Sequence, residues 1–306
     1  MKYLISGYIG FDNFGDEVIA HILSSNLKNG GAEKVTLISS NPEKTSKMHG
    51  VFACPMLGFL PALIESDVLI SGGGSLLQDV TSLKSLIYYL LVIYSALILG
   101  KRVEIFAQGI GPIKSKFGQF LTKIALKKIS KITVRDMDSK NLLESWGIES
   151  EVINDPVLDL KLEQKHKIGT IGVQLRDFKN LNDNFLEKLA EEIAQNFYNK
   201  KIQIISLQDT IDKDICIKFS ELLKNKGLHN IEVKSELSMQ DVFETISDLE
   251  CLISMRFHAS VVGIKSGVKT IVINYDPKIK SLSKMYNIPI IELDNSDFSP
   301  IRYYSN

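Results

Sequence analysis

What most constrains this chain is an alternation: short apolar runs rich in β-branched residues take turns, from Lys2 onward, with longer segments whose apolar residues recur at helical spacing. A strand followed by a helix and then another strand calls for a crossover connection, so the pattern predicts parallel sheets covered by helices, an α/β fold. In the first half the expected strands are Lys2–Ser6, Val35–Ser39, Asp67–Ser71, Arg102–Ala107 and Ile132–Arg135. After the loop Gly7–Gly15, Val18, Ile19, Ile22, Leu23 and Leu27 share one helical face, and Gly30-Gly31 supplies the stop. The clearest further helices are Leu83–Leu99, Lys116–Ile129 and Asp136–Trp146. The periodicity lapses around Asn154–Lys167, where Asn154-Asp155-Pro156 is a turn signal and Lys161–Lys167 is mostly polar. A linker is expected there, dividing the chain into domains of residues 1–160 and 161–306. A second series then begins. Its strands are expected at Ile168–Val173, Lys201–Leu207, Ile231–Val233, Cys251–Ile253 and Thr270–Ile273, and its helices at Asn184–Tyr198, Ile211–Lys226, Met239–Ser247 and Phe257–Lys265. Ser238 and Asp241 have the spacing of a capping box.

Composition narrows the function. With 306 residues and 44% hydrophobic content the chain can build large cores. Its 36 basic and 36 acidic residues cancel, so no global basic field would condense it on nucleic acid or anionic lipid, and any anion must be held locally. Three cysteines, Cys54, Cys216 and Cys251, lie far apart and form no CxxC pair, which speaks against a disulfide scaffold or zinc ribbon and for a reducing cytoplasm. The apolar stretch at the N-terminus is too short for a signal peptide. The long apolar run Leu86–Leu99 is too short to span a membrane and reads as a buried helix, with membrane-surface contact only if its face is exposed.

Two open α/β domains are expected to face a cleft, with ligands beyond the carboxyl ends of the strands. The loop Gly7–Glu17 follows a strand and precedes a helix, and its glycines would let backbone amides approach a ligand. Asp16 and Glu17 fall at the helix start, where they complement the dipole and compete with phosphate; they read either as capping or as carboxylates for a hydroxyl ligand. The spacing of Gly7, Gly10 and Gly15 is not GxGxxG. The next candidate, Ser71–Asp79, offers consecutive glycines that present amides to an anion or pass close to a sugar, but lacks the lysine of a nucleotide-hydrolysing loop. Gln108–Pro112 is a shaped turn with little side-chain chemistry. Arg135 ends a strand and could grip a carboxylate or phosphate with its fork, or pair with adjacent Asp136.

In the second half, Ser254–Ala259 places Arg256 two residues from His258 at the start of an apolar helix. A guanidinium beside an imidazole at a helix N-terminus is an anion site with a titratable group, suited to acid–base work. Lys278, in Asn274–Lys278, follows another strand and would reach the same edge; the alternative is a solvated lysine after a turn. His21, His49, His166 and His229 lack acidic or histidine partners at ligand spacing, so no metal site is expected.

Taken in order, GYIGFDNFGDE, ISGGGSLLQD with its apolar helix, AQGIGP, VRD, MRFHA and NYDPK resemble the polysaccharide pyruvyltransferases, especially the bacterial cell-wall-polymer group, over about Tyr3 to Leu282. The resemblance implies two Rossmann-like β/α/β domains facing a cleft in the GT-B manner. It implies transfer of pyruvate from phosphoenolpyruvate to a sugar hydroxyl pair, forming a 4,6-ketal, typically on N-acetylmannosamine of a cell-wall polymer, with release of phosphate. Arg135, His258 and Lys278 match positions that contact phosphoenolpyruvate, and Arg256 is added for its proximity to His258. The loops carrying Asn13, Asp16, Glu17, Gly73, Gly74, Ser75 and Asp79 would face the acceptor from the first domain, while the second supplies much of the donor site. His258 would donate a proton to the enol carbon or stabilise departing phosphate, and Asp16, Glu17 or Asp79 would deprotonate the acceptor; the sequence does not choose among the three. No metal or resident cofactor is expected, and the partners are phosphoenolpyruvate and a sugar or lipid-linked acceptor. A lipid-linked acceptor implies transient contact with the inner face of the membrane. The competing readings are a GT-B glycosyltransferase with a nucleotide-sugar donor and a non-catalytic glycan-binding relative.

Overall fold

The computed structural model describes residues 1–80, 82–164, 169–179, 181–294 and 297–305. The chain forms two compact units, Met1–Asp159 and Leu160–Asn306. His166, Lys167 and Ile168, named in the sequence reading, lie outside the described residues.

The first unit runs β1 (Lys2–Ser6), α1 (Phe14–Asn29), β2 (Lys34–Ser39), α2 (Pro42–His49), β3 (Phe52–Pro55), α3 (Phe59–Glu65), β4 (Val68–Gly72), α4 (Leu83–Ile98), β5 (Arg102–Gln108), α5 (Lys116–Leu126), β6 (Lys131–Val134), α6 (Met137–Ser145) and β7 (Glu151–Val152). Its strands form one parallel sheet in the order β3-β2-β1-β4-β5-β6-β7. β1 is flanked by β2, with Leu4 opposite Thr36, and by β4, with Leu4 opposite Leu69. The sequence therefore departs in opposite directions on either side of the β1/β4 pair, and the loops after these two strands flank the switch point where open α/β sheets bind ligands. Leu4, Leu69, Leu86, Ile93 and Leu126 bury one face of the sheet, and Ile5, Leu37, Val68 and Leu23 the other.

The second unit runs β8 (Thr170–Gln174), α7 (Asp183–Asn196), β9 (Lys201–Ile205), α8 (Asp209–Asn225), β10 (Ile231–Lys234), α9 (Met239–Ser247), β11 (Cys251–Ser254), α10 (Phe257–Lys265), β12 (Lys269–Asn274), α11 (Pro277–Tyr286), β13 (Ile290–Glu292) and α12 (Ser299–Ser305). Its parallel order, β10-β9-β8-β11-β12-β13, puts the switch between β8 and β11. Ile171, Val173, Phe185, Phe219 and Ile253 are among its fully buried residues. α9 starts with the expected capping box: Asp241 N–H donates to Ser238 Oγ (3.2 Å) and Ser238 N–H to Asp241 Oδ2 (3.0 Å).

Several features differ from the sequence reading. Asn154-Asp155-Pro156 is not free linker: Asp155 is buried, and Val157 and Leu158 pack in a 3-10 turn spanning Pro156–Asp159. α2 was not anticipated because it has almost no apolar periodicity; it is defined by its caps, with Asn41 Oδ1 accepting from Lys44 N–H, Pro42 in the first turn and Gly50 left-handed at the end. Similarly, Asn274–Lys278 is more than a turn, because Asp276 caps α11 and Pro277 opens it. α4 is not a wholly buried helix: Leu86, Leu90 and Ile93 are buried, while Ile87, Leu91 and Ile98 on its other side are exposed.

Candidate functional site

At the carboxyl edge of the first sheet, the loop after β1 is held by a buried brace. Glu17 Oε1 accepts from Gly10 N–H at 2.7 Å, and Glu17 Oε2 meets His49 Nε2 at 2.9 Å, with both side chains shielded from water. Gly10 has φ 83, and a Cβ there would stand 2.2 Å from Ser39 Oγ, so the loop presses on the end of β2 as only glycine allows. Glu17 is therefore a structural carboxylate and not an acceptor base, a correction to the sequence reading, which also left His49 without an acidic partner. Asn13 is likewise engaged, its Oδ1 capping α1 through Gly15 N–H at 3.2 Å.

Asp79 is engaged as well, by backbone donors. Its two oxygens accept from Lys114 N–H and Ser115 N–H, each at 2.7 Å, tying the loop after β4 to the loop after β5. Those backbone donors, Lys114 first, hold its carboxyl below the usual range, which makes it a weaker base. Asp16 differs. Its Oδ1 lies 2.6 Å from where a Cβ on Gly74 would stand, so it sits where the loops after β1 and β4 meet. Gly73 and Gly74 both hold positive φ there, 77 and 61 degrees.

Arg135 reaches into the same edge from the end of β6. Asp136 is not its partner, because that carboxylate caps α6 through Ser139 N–H. Arg135 Nη2 donates to Ser75 Oγ at 2.8 Å, and Nη1 stands 3.5 Å from Asp155 Oδ2. Its buried Nε makes no hydrogen bond among the described residues. Gly109 makes room for it, since a Cβ at that position would lie 2.6 Å from Ser75 Oγ and 3.3 Å from Arg135 Nε. This edge thus gathers Asp16, Gly74, Ser75 and Arg135 from loops after three strands. An arginine fork with an unanswered buried N–H is suited to a carboxylate or phosphate oxygen.

At the carboxyl edge of the second sheet, Gln174 ends β8 and organises the loop after β11. Its Oε1 accepts from Arg256 N–H at 2.7 Å and from Ser254 Oγ at 3.2 Å, while its backbone carbonyl accepts from Met255 N–H at 3.0 Å. The following residues open α10, and His258 sits half-buried in its first turn, its ring edge-on to Phe257. No side chain caps this helix end. Lys278, half-buried, lies in the first turn of α11, after the neighbouring strand β12.

Arg256 does not join them as a ligand-binding cation. It is buried, with Nε donating to Asp212 Oδ2 at 2.7 Å and Nη2 to Asp212 Oδ1 at 2.9 Å and Gln208 Oε1 at 3.1 Å. Asp212, on α8, is fully buried, so the pair is an internal brace that locks the start of α10 to α8. Sequence spacing could not reveal a partner 44 residues away.

Arg176, which the sequence reading passed over, lies at this edge instead. It follows β8 by two residues, sits above the Tyr275 ring with its Cζ 5.6 Å from the ring centre, and approaches Tyr275 Oη with Nη1 at 3.4 Å. Its Nε is buried and makes no hydrogen bond among the described residues. Phe178 packs edge-on against the same ring, fixing the platform. The available signal was its place directly beyond a strand at the switch point. Among the described residues no group of three or more His, Cys, Asp and Glu is arranged to hold a metal ion.

Two parallel sheets, each with its polar residues at the carboxyl edge beside a switch point, define the GT-B-like class of α/β proteins. Solved structures share this build at low identity. A glycosyltransferase from Rickettsia africae superposes with a TM-score of 0.65 at 13% identity, covering 99% of this chain and 88% of that one. Anabaena HepE in complex with UDP and glucose gives 0.64 at 11%, covering 99% and 89%. The UDP-GlcNAc 2-epimerase from Neisseria meningitidis bound to UDP-GlcNAc gives 0.59 at 14%, covering 99% and 90%. A comparison with curated protein sequences finds no match. The polysaccharide pyruvyl transferase family model matches residues 13–277, and the chain belongs to that family.

Proposed function

We propose that this transferase takes pyruvate from phosphoenolpyruvate and places it as a 4,6-ketal on a sugar of a cell-wall or surface polysaccharide precursor, N-acetylmannosamine being the expected residue, with release of phosphate. One observation carries the reading beyond family membership: each sheet edge holds an arginine, Arg135 or Arg176, whose Nε is buried without a hydrogen-bond partner among the described residues. A buried N–H left unmatched costs about 1–3 kcal/mol, which a carboxylate or phosphate oxygen would recover. Phosphoenolpyruvate carries both groups.

In this scheme Arg176, positioned by Tyr275, binds the donor's anionic groups in the second unit and Lys278 adds a point charge, while in the first unit Arg135, positioned by Ser75 and Asp155, offers an anion-binding fork of its own. His258 protonates C3 of the enol, and positive charge develops at C2. A sugar hydroxyl attacks C2 and gives up its proton to a carboxylate base; phosphate then leaves, and the second hydroxyl closes the ketal, its proton returning to His258. The amides around Gly73 and Gly74 line the acceptor side. Arg256 acts through position, holding the helix end that carries His258.

The test is phosphate release from phosphoenolpyruvate over a panel of acceptor sugars, paired with thermal-shift measurements. Protection by phosphoenolpyruvate, turnover with an N-acetylmannosamine acceptor, and a folded His258→Asn variant slowed about 100-fold or more are expected. Arg176→Met should raise the donor KM about tenfold or more, the effect of losing one charge-assisted hydrogen bond. Protection by nucleotide sugars alone would assign the site to glycosyl transfer, and binding without turnover on any acceptor would assign it to a glycan-binding relative.

A further inference from the structure

In the first unit, α3, α4 and α5 form one layer against the sheet, contributing Leu63, Leu86 and Leu126 to a common core. They are tied together by Tyr88 Oη donating to the Met56 carbonyl (3.1 Å), just before α3, and by Tyr94 Oη donating to the Leu121 carbonyl of α5 (2.7 Å). The outside of this layer is unusual for a protein surface. Along α4, Leu83, Ile87, Leu91 and Ile98 repeat at helical spacing, and all are exposed, Leu91 at 55% and Ile98 at 82%. Phe117 and Phe120 on α5 are each 61% exposed, and Leu57, in the 3-10 turn before α3, is 95% exposed. Large apolar side chains gathered on one layer mark an interaction surface, whereas single ones do not.

Charge is segregated onto the same stretch. From Val80 to Arg135 there are ten lysines and arginines and a single acid, Glu104, in a chain whose net charge is zero. Glu104 is itself bridged by Arg102 and Lys131. Among the described residues, none of Lys114, Lys116, Lys123, Lys127 and Lys128, which precede, belong to or follow α5, is in an ion pair. Exposed aromatics and aliphatics interleaved with unpaired lysines are the chemistry of an interfacial surface that meets anionic lipid headgroups and dips its apolar side chains among them. A partner protein face would need acids aligned against each lysine. A second copy of this same patch would set lysines against lysines.

We infer that the α3–α4–α5 face docks on an anionic lipid bilayer. No helix among the described residues is long and apolar enough to cross a membrane, so the docking is peripheral. α4 and α5 both begin at the carboxyl edge that carries Asp16, Gly74 and Ser75, so a bilayer against this face would present a lipid-anchored sugar near that edge. The docking itself rests on exposure and charge alone and does not depend on the proposed donor.

Vesicle flotation of the full chain without any donor tests it, comparing pure phosphatidylcholine with vesicles containing phosphatidylglycerol. Binding to the anionic vesicles only, weakened by salt, is expected. Each lysine near the surface contributes about a fivefold increase in partitioning, so Lys116→Ser, Lys127→Ser and Lys128→Ser together should lower it about 100-fold. Phe117→Ser with Phe120→Ser should also release the protein, and an unchanged melting curve for both variants establishes that folding is intact. Equal binding to both vesicle types, no binding to either, or a concentration-dependent dimer in sedimentation that the Phe117/Phe120 variant abolishes would overturn the inference. Loss of phosphate release in any variant would bear on the chemistry, whereas flotation reads only the docking.

Discussion

Removing one partner of the Arg256–Asp212 pair offers a sharp test of how the second unit is held together. Asp212 is fully buried and receives two guanidinium N–H groups at 2.7 and 2.9 Å, with Gln208 taking a third donor. Asp212→Leu leaves the guanidinium in the interior with its charge unanswered, a change that costs about 3–5 kcal/mol. For a unit of this size that corresponds to a fall in Tm of about 6–20 °C. Replacing both partners, Arg256→Met with Asp212→Leu, removes the unpaired charge, and the double variant should recover most of the loss, to within about 1–2 kcal/mol of wild type. Urea denaturation followed by circular dichroism measures this, with donor kinetics on the same samples. As the pair fixes the start of α10, kcat should fall in the single variants more than the donor KM rises. If Arg256→Met melted like wild type and instead raised the KM for phosphoenolpyruvate tenfold with kcat unchanged, the guanidinium would be a donor ligand and the brace argument would be wrong.

Further outcomes follow from other parts of the structure. Gly74→Ala puts a methyl group 2.6 Å from Asp16 Oδ1 at a φ of +61, so it should cost about 1 kcal/mol in stability and lower kcat by displacing that carboxylate, as chemical melts and phosphate release would show. His21 has its pKa lowered by burial first, then by the His49 and Lys28 charges. The folded state therefore binds fewer protons there than the unfolded one, and this contribution to stability, complete above the unfolded value of about 6.5, is lost as pH falls through the folded value. Urea midpoints should drop between pH 7.5 and pH 5, and the drop should be smaller in His21→Gln. Burial pushes the Cys54 thiol up to about 11 and those of Cys216 and Cys251 up to about 12. At pH 8 fewer than about one molecule in a thousand carries a thiolate at any of them, so native protein should resist iodoacetamide until urea is added, as mass spectrometry would read.

Much of this protein was legible from periodicity. The strand Lys2–Ser6, the helix Phe257–Lys265 and the capping box at Ser238 are local patterns, and the structure reproduces them. β3, β7 and β13 escaped notice because each is short and lies at the outer edge of its sheet, where little burial shapes the sequence. The helices α2 and α11 escaped because caps and proline define them more than an apolar stripe does.

The candidate site divides along the same line. That the loops after the strands at Ser6, Gly72, Val134, Ser254 and Asn274 would hold the polar residues follows from strand-then-loop order, which is local. Which side chains remain to face a ligand is not local. Glu17 and Asp16 are neighbours at the same helix start, yet Glu17 is buried against His49 and Gly10 while Asp16 stands where the loop after β4 passes at Gly74, and neither placement is written in the local sequence. Arg256 and Arg176 both sit just beyond strands, yet Asp212 claims the first, and Tyr275 supports the second with its Nε left unmatched. The sequence alone determined the α/β alternation, the two-unit organisation and the family, because hydrophobic period and motif order are properties of neighbouring residues. Only the tertiary structure decided which charges are spent inside the protein, because a buried ion is tolerated only where the fold brings its counter-ion within reach, and that partner stands dozens of residues away.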